Sequence, residues 1–312
     1  MFDVIIVGGG PAGLNAALIL GRCRRRVLVC DTGRPRNARS RGVRGFLTRD
    51  GTPPFELRGF AREELARYPS LEFRATEVTA AREIETGFEV TLADGHVERS
   101  RKLLLATGWR DDAPSFPDAG RFYGRGVYPC PYCDGWEHRD EPLLVYGPNP
   151  EGPGLALEVT VWSDDITLLT DGDSGLTQHN RDRLQRQGIK ILEDRLAGLE
   201  GEPDGAGLER VRFVGGHSLD SRAIFFSFQA GRQSPLLDTF GLDYGGSGLV
   251  RTGSLEQTKV PGLFVAGDAA HSVQFAIVAA GEGATAAFAI NTELLKESLS
   301  GRSAVPQRDQ ES

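Results

Sequence analysis

The sequence predicts an α/β protein with two domains, each built around parallel strands. Two observations predict this class. Continuous apolar runs, which strands covered on both faces of a sheet require, recur in both halves of the chain and alternate with segments of helical spacing. The length, 312 residues, is also suited to two domains.

Composition narrows the partners that we expect. The chain is 39% hydrophobic and 25% charged, as in ordinary globular proteins. A net charge of -7 argues against nucleic acid as a partner. The first residues, "MFDVIIVGGG", lack the features of a signal peptide, and no apolar run is long enough to span a membrane. We therefore expect a cytoplasmic protein with no membrane partner.

The first thirty residues predict a β-α-β unit. The apolar strand "FDVIIV" is followed by "GGGPAG", the helix "LNAALILGRC" and the strand "RVLVCD". Gly8, Gly10 and Gly13 have the G-x-G-x-x-G spacing, in which they allow a tight turn, approach of backbone to a pyrophosphate, and close helix packing. Asp31, at the end of the second strand, can accept a hydrogen bond from a ribose hydroxyl. This order of elements predicts a dinucleotide site.

The remaining elements follow in order. "FELRGFAREELARYP" has helical spacing, residues 71–98 alternate like short strands, and "RKLLLATGW" is a buried strand before a Pro- and Gly-rich crossing at 114–126. A second α/β pattern then begins. Its segments are "PLLVYG", "GPGLALEVTVW", "ITLLTDG", "TQHNRDRLQRQG", "IKILED", "LERVRFV" and "AIFFSFQA". The strand "VPGLFVAGDAA" and a long helix over 273–297 close the fold, and we expect disorder beyond about residue 300.

The segment "GVYPCPYCDGWEHRD" contains Cys130 and Cys133 in a chain of four cysteines. A zinc site needs four ligands, and only His138 lies nearby, so we expect no metal. A structural disulfide is unusual in the cytosol. A redox pair is the favoured interpretation, because a helix that starts after the first cysteine would lower a thiol pKa. We expect Cys23 and Cys30 to be inert.

Four separated motifs, "GGGPAG", "LLLATG", "CPYCDG" and "LFVAGDAA", resemble the low-molecular-weight thioredoxin reductase family of FAD/disulfide oxidoreductases, as does "AAGEGATAA". The resemblance implies two Rossmann-like nucleotide-binding domains of three-layer ββα type, the second inserted into the first. Residues 1–115 and 242–312 would form the FAD-binding domain. Residues 116–241 would form an NAD(P)-binding-like domain that carries the cysteines. A homodimer is also implied.

The resemblance also assigns the cofactor FAD and the residues around it. The expected FAD-binding residues are Gly8, Gly10, Gly13, Asp31, Gly267, Asp268 and Gln274. A helix from about residue 273 would point its N-terminus at the flavin. Ten arginines lie between residues 22 and 49, of which we expect some to face phosphate and most to face solvent.

The same resemblance gives the catalytic residues separate roles. Cys133 would lie against the flavin and exchange electrons with it, and Cys130 would attack the partner's sulfur. Asp134 would donate or accept protons for the thiolates. His138 has no counterpart in the family, and we expect it at the surface.

The second glycine turn departs from the family. In "GPNPEGPG", Gly147 and Gly152 are in place, but the middle position is Asn149 and three prolines remove backbone donors. Residues 163–180 contain four aspartates and no lysine or arginine, where the family has a basic pair for NADPH. Asp171 could suit the ribose of NADH, but loss of the dinucleotide site explains these residues better.

These departures favour an FAD-dependent dithiol oxidase that resembles the gliotoxin- and holomycin-type enzymes. Electrons would pass from a small-molecule dithiol through Cys130 and Cys133 to FAD and then to O2. The alternative is a thioredoxin reductase-type disulfide reductase that acts on a thioredoxin-like protein, with NAD(P)H, ferredoxin or another donor. A flavin-binding redox sensor without enzymatic activity is a third possibility.

Overall fold

The computed structural model describes residues 1–112, 114–148, 150–203, 205, 207–227, 231–246 and 248–302. Within them the α-helices are α1 (Pro11–Arg22), α2 (Pro54–Leu65), α3 (Ala119–Phe122), α4 (Pro131–Asp134), α5 (Gly152–Val159), α6 (Gln178–Arg186) and α7 (Ala276–Arg302). Short 3₁₀ helices cover Trp136–His138 and Pro235–Phe240. Among the described helices, none combines the length and apolar character that crossing a membrane requires.

The strands lie mostly where apolar or alternating runs predict them. They are β1 (Phe2–Val7), β2 (Val27–Cys30), β3 (Leu71–Arg74), β4 (Val78–Ile84), β5 (Gly87–Leu92), β6 (Val97–Leu105), β7 (Arg110–Asp111), β8 (Val127–Tyr128), β9 (Leu143–Tyr146), β10 (Ile166–Leu169), β11 (Lys190–Leu192), β12 (Leu196–Gly201), β13 (Leu208–Phe213), β14 (Ser218–Asp220), β15 (Ile224–Phe226), β16 (Gly231–Arg232) and β17 (Leu263–Val265).

The first sheet has a parallel part in the order β3-β2-β1-β6-β17. The first half of β6 also pairs antiparallel with β5, which pairs with β4. Val4 and Ile6 pack in the core beneath α1 and α7, whereas Ile5 packs with Phe88 and other residues of the antiparallel strands. The alternate faces of one strand thus separate a helical layer from a β layer, as the three-layer prediction requires.

The second sheet repeats this arrangement. Its five strands are parallel in the order β11-β10-β9-β15-β8. Helices α5 and α6 pack on one face, where Leu155 and Leu184 join the same core as Val145. The antiparallel strands β12-β13-β14 pack on the other face, with Leu199 and Val211 in the core beside Leu144.

The chain passes between the two parallel sheets twice. The two crossings lie side by side, because β7 and β16 pair antiparallel. The sequence predicts the crossing at 114–126 but not this pairing. The domain boundaries at residues 115 and 241 stay a prediction. Helix α7 begins at Ala276 rather than near residue 273 and continues to Arg302; residues 303–312, for which we expect disorder, lie outside the described residues.

Candidate active site

The separated motifs of the sequence meet in one cleft of about 1350 Å³. Nine of the predicted site residues line it: Gly8, Gly10, Asp31, Cys130, Cys133, Asp134, Gly267, Asp268 and Gln274. Gly13 does not line the cleft but packs behind the turn. The cleft exceeds the usual size of a pocket for one small ligand, roughly 300–1,000 Å³.

The first glycine turn has the geometry that its spacing predicts. Gly8 has φ +111°, and a Cβ there would lie 2.2 Å from the carbonyl oxygen of Ala106. A Cβ on Gly13 would lie 1.9 Å from the carbonyl oxygen of Gly8, so only glycine allows α1 to start this close to the turn. A Cβ on Gly10 would meet no protein atom within 4 Å. Because Gly10 lines the cleft, a side chain there would occupy ligand space.

Asp31 lies at the carboxyl end of β2 and is only 8% exposed. Its carboxylate forms ion pairs with Arg58, at short distance, and with Arg62 at 3.2 Å. Arg58 Nε also donates to the carbonyl oxygen of Gly9 at 3.2 Å. Two arginines of α2, which the sequence analysis missed, therefore hold the acid against the glycine turn. Their i, i+4 spacing on one helix is the signal that was available.

Asp268 follows Gly267, which has φ +83°. Arg36 Nη1 donates to Asp268 Oδ2 at 2.7 Å and to Gln274 Oε1 at 2.6 Å. Burial raises the pKa of Asp268, and the charge of Arg36 opposes the rise. The structure thus brings Asp268 and Gln274 together around one arginine.

Arg36 also binds a second carboxylate. Its Nε and Nη2 atoms donate to Asp111 at 2.8 and 2.6 Å, and Tyr123 donates to the same residue at 2.8 Å. Burial and the Asp111 charge raise the pKa of Tyr123. Arg36 therefore contacts carboxylates, a role that the sequence did not reveal for any member of the arginine run.

A buried acidic network lies beside the Gly267 turn. Glu282 Oε2 accepts a hydrogen bond from the Gly267 N–H at 2.7 Å. His271 lies between Glu282, at 3.6 Å, and Glu256, at 2.8 Å, and both carboxylates are buried. The motif "AAGEGATAA" resembles the family, but nothing in its sequence indicates the contact from this glutamate to the turn.

The cleft also contains buried polar atoms that suit a ligand. Thr107 Oγ1 and Gln233 Oε1 have no hydrogen-bond partner among the described residues, and both residues line the cleft. Buried polar atoms are normally paired. Thr107 Oγ1 can donate or accept and Gln233 Oε1 can only accept, so these atoms and the open approach at Gly10 fit an elongated cofactor with polar groups along its length.

The two cysteines of the CPYC segment form a disulfide with a Cα–Cα distance of 5.3 Å. Cys130 is the N-cap of α4, and its Sγ accepts a hydrogen bond from the Cys133 N–H at 3.2 Å. A donor aimed at this sulfur stabilises negative charge on it. Of the other two cysteines, Cys23 is exposed, and burial raises the pKa of Cys30 to about 12.

Asp134 ends the short helix that carries the disulfide. Burial raises its pKa to about 7, and the charge of Glu137 adds to the rise, while Arg44 opposes it. Arg44 itself pairs with Glu137 at 3.1 Å. A carboxyl group with this pKa can accept or donate a proton near neutral pH.

His138 is not at the surface, contrary to the prediction. Only 15% of its side chain is exposed. Its ring lies 3.2 Å from the Tyr128 hydroxyl and 3.4 Å from Glu141. Burial lowers the pKa of His138. The strand that carries Tyr128 has only two residues, which explains why the sequence did not predict this packing.

The second glycine turn keeps its packing. A Cβ on Gly147 would lie 2.4 Å from the Cα of Gly152, so these two glycines still allow the turn to close on α5. The helix begins after Glu151, its N-cap residue, and Pro153 occupies its first turn. Asn149, at the middle position of the motif, lies outside the described residues.

Asp171, the candidate for a ribose contact, is engaged within the protein. Its Oδ1 accepts from the Leu196 N–H at 2.8 Å, and its Oδ2 accepts from the Tyr146 hydroxyl at 3.3 Å. The carboxylate therefore connects the end of β10 to β12 and β9, which is a structural role that the sequence did not reveal.

The model of the family described as "Pyridine nucleotide-disulphide oxidoreductase" matches residues 2–283. The chain belongs to this family. It is 30% identical to "Thioredoxin reductase aclD" of Aspergillus oryzae over 94% of this chain and 96% of that protein. It is 29% identical to "Thioredoxin reductase tcpT" of Claviceps purpurea over 97% of both. The crystal structure of HlmI superposes with a TM-score of 0.91 at 34% identity, covering 97% of this chain and 95% of that chain.

Membership of the family confirms three predictions. The protein is a thioredoxin reductase-like oxidoreductase with two Rossmann-type domains, and its chemistry concerns disulfides. The family and the thioredoxin reductases are flavoproteins, which agrees with the fit of the cleft to an elongated cofactor.

Proposed function

We propose that the protein is an FAD-dependent dithiol oxidase that forms an intramolecular disulfide in a small-molecule dithiol, with O2 as the final acceptor. One observation supports it most: the Cys130–Cys133 disulfide lines the same cleft as the first glycine turn and Asp268. The second glycine turn, by contrast, has Glu151 and Pro153 at the start of its helix. A pyrophosphate at that second turn would meet a carboxylate and fewer backbone donors.

The residues that would hold FAD lie around the first glycine turn and in the segment from Gly267 to Gln274. Gly8, Gly10 and Gly13 would admit the pyrophosphate, Asp31 would accept from the adenosine ribose, and the segment Gly267–Gln274 would contact the ribityl chain and the ring. When bound, the flavin supplies a two-electron acceptor that can be reoxidised by O2.

The chain's own residues would carry out thiol–disulfide exchange. A substrate thiolate attacks Cys130 Sγ, the Cys130–Cys133 bond breaks, and Cys133 leaves as a thiolate. The second substrate thiolate then attacks the substrate sulfur of the mixed disulfide, and Cys130 leaves in turn. The substrate loses two protons and two electrons. The electrons remain on the two cysteines, the Asp134 carboxylate accepts one of the protons, and the other passes to solvent.

Asp134 should impose a pH dependence on this exchange. It must be ionised to accept a proton, so kcat/KM for a dithiol should rise as pH increases through about 7, the pKa that burial gives this group. Asp134→Asn should lower kcat/KM near neutral pH by about 100-fold and remove that inflection, leaving only the rise from substrate ionisation. A variant profile that keeps the same inflection would assign it to another group.

The alternative is a disulfide reductase that acts on a thioredoxin-like protein. The names of the relatives aclD and tcpT support it. In that direction the same cysteines would carry electrons outward, and a nicotinamide or another donor would be needed. The occupied carboxylate of Asp171 and the carboxylate of Glu151 at the helix start make the second domain a poor site for such a donor.

The proposed homodimer has one supporting observation. Phe288, Leu295 and Leu299 are 61%, 49% and 53% exposed along α7, and their spacing places them on one side of the helix. Apolar residues aligned in this way commonly mark a protein interface.

The direction of electron flow can be tested by comparing two assays. With a small dithiol in air, we expect oxygen uptake and one peroxide for each disulfide formed. With thioredoxin, insulin and a nicotinamide donor, we expect negligible insulin reduction. Fast insulin reduction without oxygen uptake would establish the reductase instead.

A further inference from the structure

One face of α5 forms part of the cleft wall. Glu151, Leu155 and Glu158 line the cleft, and their i, i+4, i+7 spacing puts them on one side of the helix. The adjoining side of α5 packs on the second sheet, where Ala156 and Val159 are fully buried and Leu155, only 8% exposed, joins the same core. The helix that would begin a dinucleotide site therefore presents two acids, and the exposed edge of a leucine, to the cleft that the disulfide also lines.

An aromatic group faces the same space. Tyr132 stands between the two cysteines and is 63% exposed. Its ring lies 5.4 Å from the ring of Trp162 and 6.1 Å from that of Phe275, both edge-on. Tyr132 and Phe275 line the cleft together with Leu155. A small molecule that reaches Cys130 would contact this apolar group.

Glu158 contributes to the cleft wall a charge that is unpaired among the described residues. Arg36, Arg44 and Arg58 each pair with a carboxylate. The Glu158 side chain is half-buried and forms no hydrogen bond or ion pair within the part of the chain that the structure describes. No ion pair with a described residue therefore compensates its negative charge, which acts on whatever enters the cleft along α5.

We propose that α5 is the substrate wall of the cleft and that Glu158 determines its charge preference, for small dithiols or disulfides that are neutral or cationic beside an apolar body. This proposal rests on the proposed function for its physiological substrate, but the charge preference holds for thiol–disulfide exchange in either direction. The Glu158 charge, in addition to Glu151 and Pro153 at the helix start, also disfavours an anionic dinucleotide at this helix.

The charge preference can be measured in the Cys133→Ser variant. In this variant thiol–disulfide exchange stops once a mixed disulfide has formed at Cys130. The Cys130 thiolate attacks one sulfur of a probe disulfide, the probe's S–S bond breaks, one probe thiolate leaves, and a mixed disulfide forms at Cys130. The probes are cystamine, bis(2-hydroxyethyl) disulfide and 3,3′-dithiodipropionate, which are cationic, neutral and anionic. Peptide mass mapping reports the rate at each cysteine.

Two controls isolate the effect of Glu158. Cys23 is exposed, lies at the end of α1 outside the cleft, and is labelled in the same reaction as an internal reference. Glu209→Gln removes an equal charge from an exposed position on β13. Glu158→Gln and Glu209→Gln are both made in the Cys133→Ser background, and labelling at Cys23 is measured in each protein.

We expect Cys130 to react in the order cation, neutral, anion. Glu158→Gln should lower the cation-to-anion rate ratio at Cys130 by about tenfold, high salt should reduce the same ratio, and Glu158→Lys should reverse the order. The cation-to-anion rate ratio at Cys23 should be the same in all variants, and Glu209→Gln should not change this ratio at Cys130. An equal ratio at Cys130 in Glu158→Gln and Glu209→Gln would overturn the proposal. Failure of oxygen uptake with dithiols would instead count against the oxidase alone.

Discussion

Replacing Cys130 or Cys133 by serine is expected to lower dithiol turnover by at least ~1,000-fold. The two cysteines act as one unit, so removing either one abolishes the function of both. Neither half of the disulfide can accept an electron pair alone. The measurement is the steady-state rate of oxygen uptake with a small dithiol. Cys23→Ser, which removes an exposed thiol, is the control and should keep full activity.

The two serine variants should differ in what they trap. Cys133→Ser should hold a probe thiol as a mixed disulfide on Cys130, since no neighbouring thiol can release it. Cys130→Ser should form such an adduct slowly and should instead place a lone Cys133 thiolate beside the bound flavin, seen as a long-wavelength absorbance band. Full dithiol activity in either variant, or the same adduct yield in both, would show that the assigned roles are wrong.

Substitution in the first glycine turn should separate folding from cofactor retention. Gly13→Ala places a methyl group 1.9 Å from a backbone oxygen, so we expect a loss of about 3 kcal/mol or more in the free energy of unfolding. Gly10→Ala meets no protein atom within 4 Å and has φ -80°, so its fold should persist. Its methyl group lies in the cleft, and flavin affinity should fall by about tenfold or more.

The control for both is Gly59→Ala, at an exposed position inside α2 with no atom within 4 Å. It should leave flavin affinity unchanged and slightly raise stability, because alanine is the better helix former. Thermal unfolding and the absorbance of reconstituted protein provide the two readouts. If Gly10→Ala binds FAD as tightly as Gly59→Ala does, the pyrophosphate is not held at this turn.

Much of the fold could be predicted because its signals are local. The run "FDVIIV" became β1 over the residues expected, and the spacing of Gly8, Gly10 and Gly13 fixed the turn before α1. Strand β17 pairs with β6, more than 150 residues earlier in the chain; only the family resemblance implied that these distant segments share a domain, and the pairing itself was not predicted. Strands of two residues, such as β7, β8 and β16, carry no periodicity and were missed.

Site residues were predicted where the residues that contact one another belong to a single motif. They were missed where the contacting residues are far apart in the sequence. Arg36 reaches Asp111 and Asp268, and nothing in the loop sequence distinguishes it from nine other arginines. His138 was expected in solvent, but packing against Tyr128 buries it. The Asp171 carboxylate resembled a ribose ligand in sequence and instead accepts from Leu196 and Tyr146.

Anaerobic reduction of the bound flavin, followed by its visible absorbance, tests most directly whether electrons enter through Cys130 and Cys133. A small dithiol should bleach the flavin of the wild-type protein rapidly and should leave that of Cys130→Ser oxidised. NADPH and NADH at micromolar concentration should reduce it slowly or not at all, given Glu151 and Pro153 at the start of α5. Rapid bleaching by NADPH, with no response to dithiols, would contradict the dithiol oxidase and establish electron flow from a nicotinamide donor.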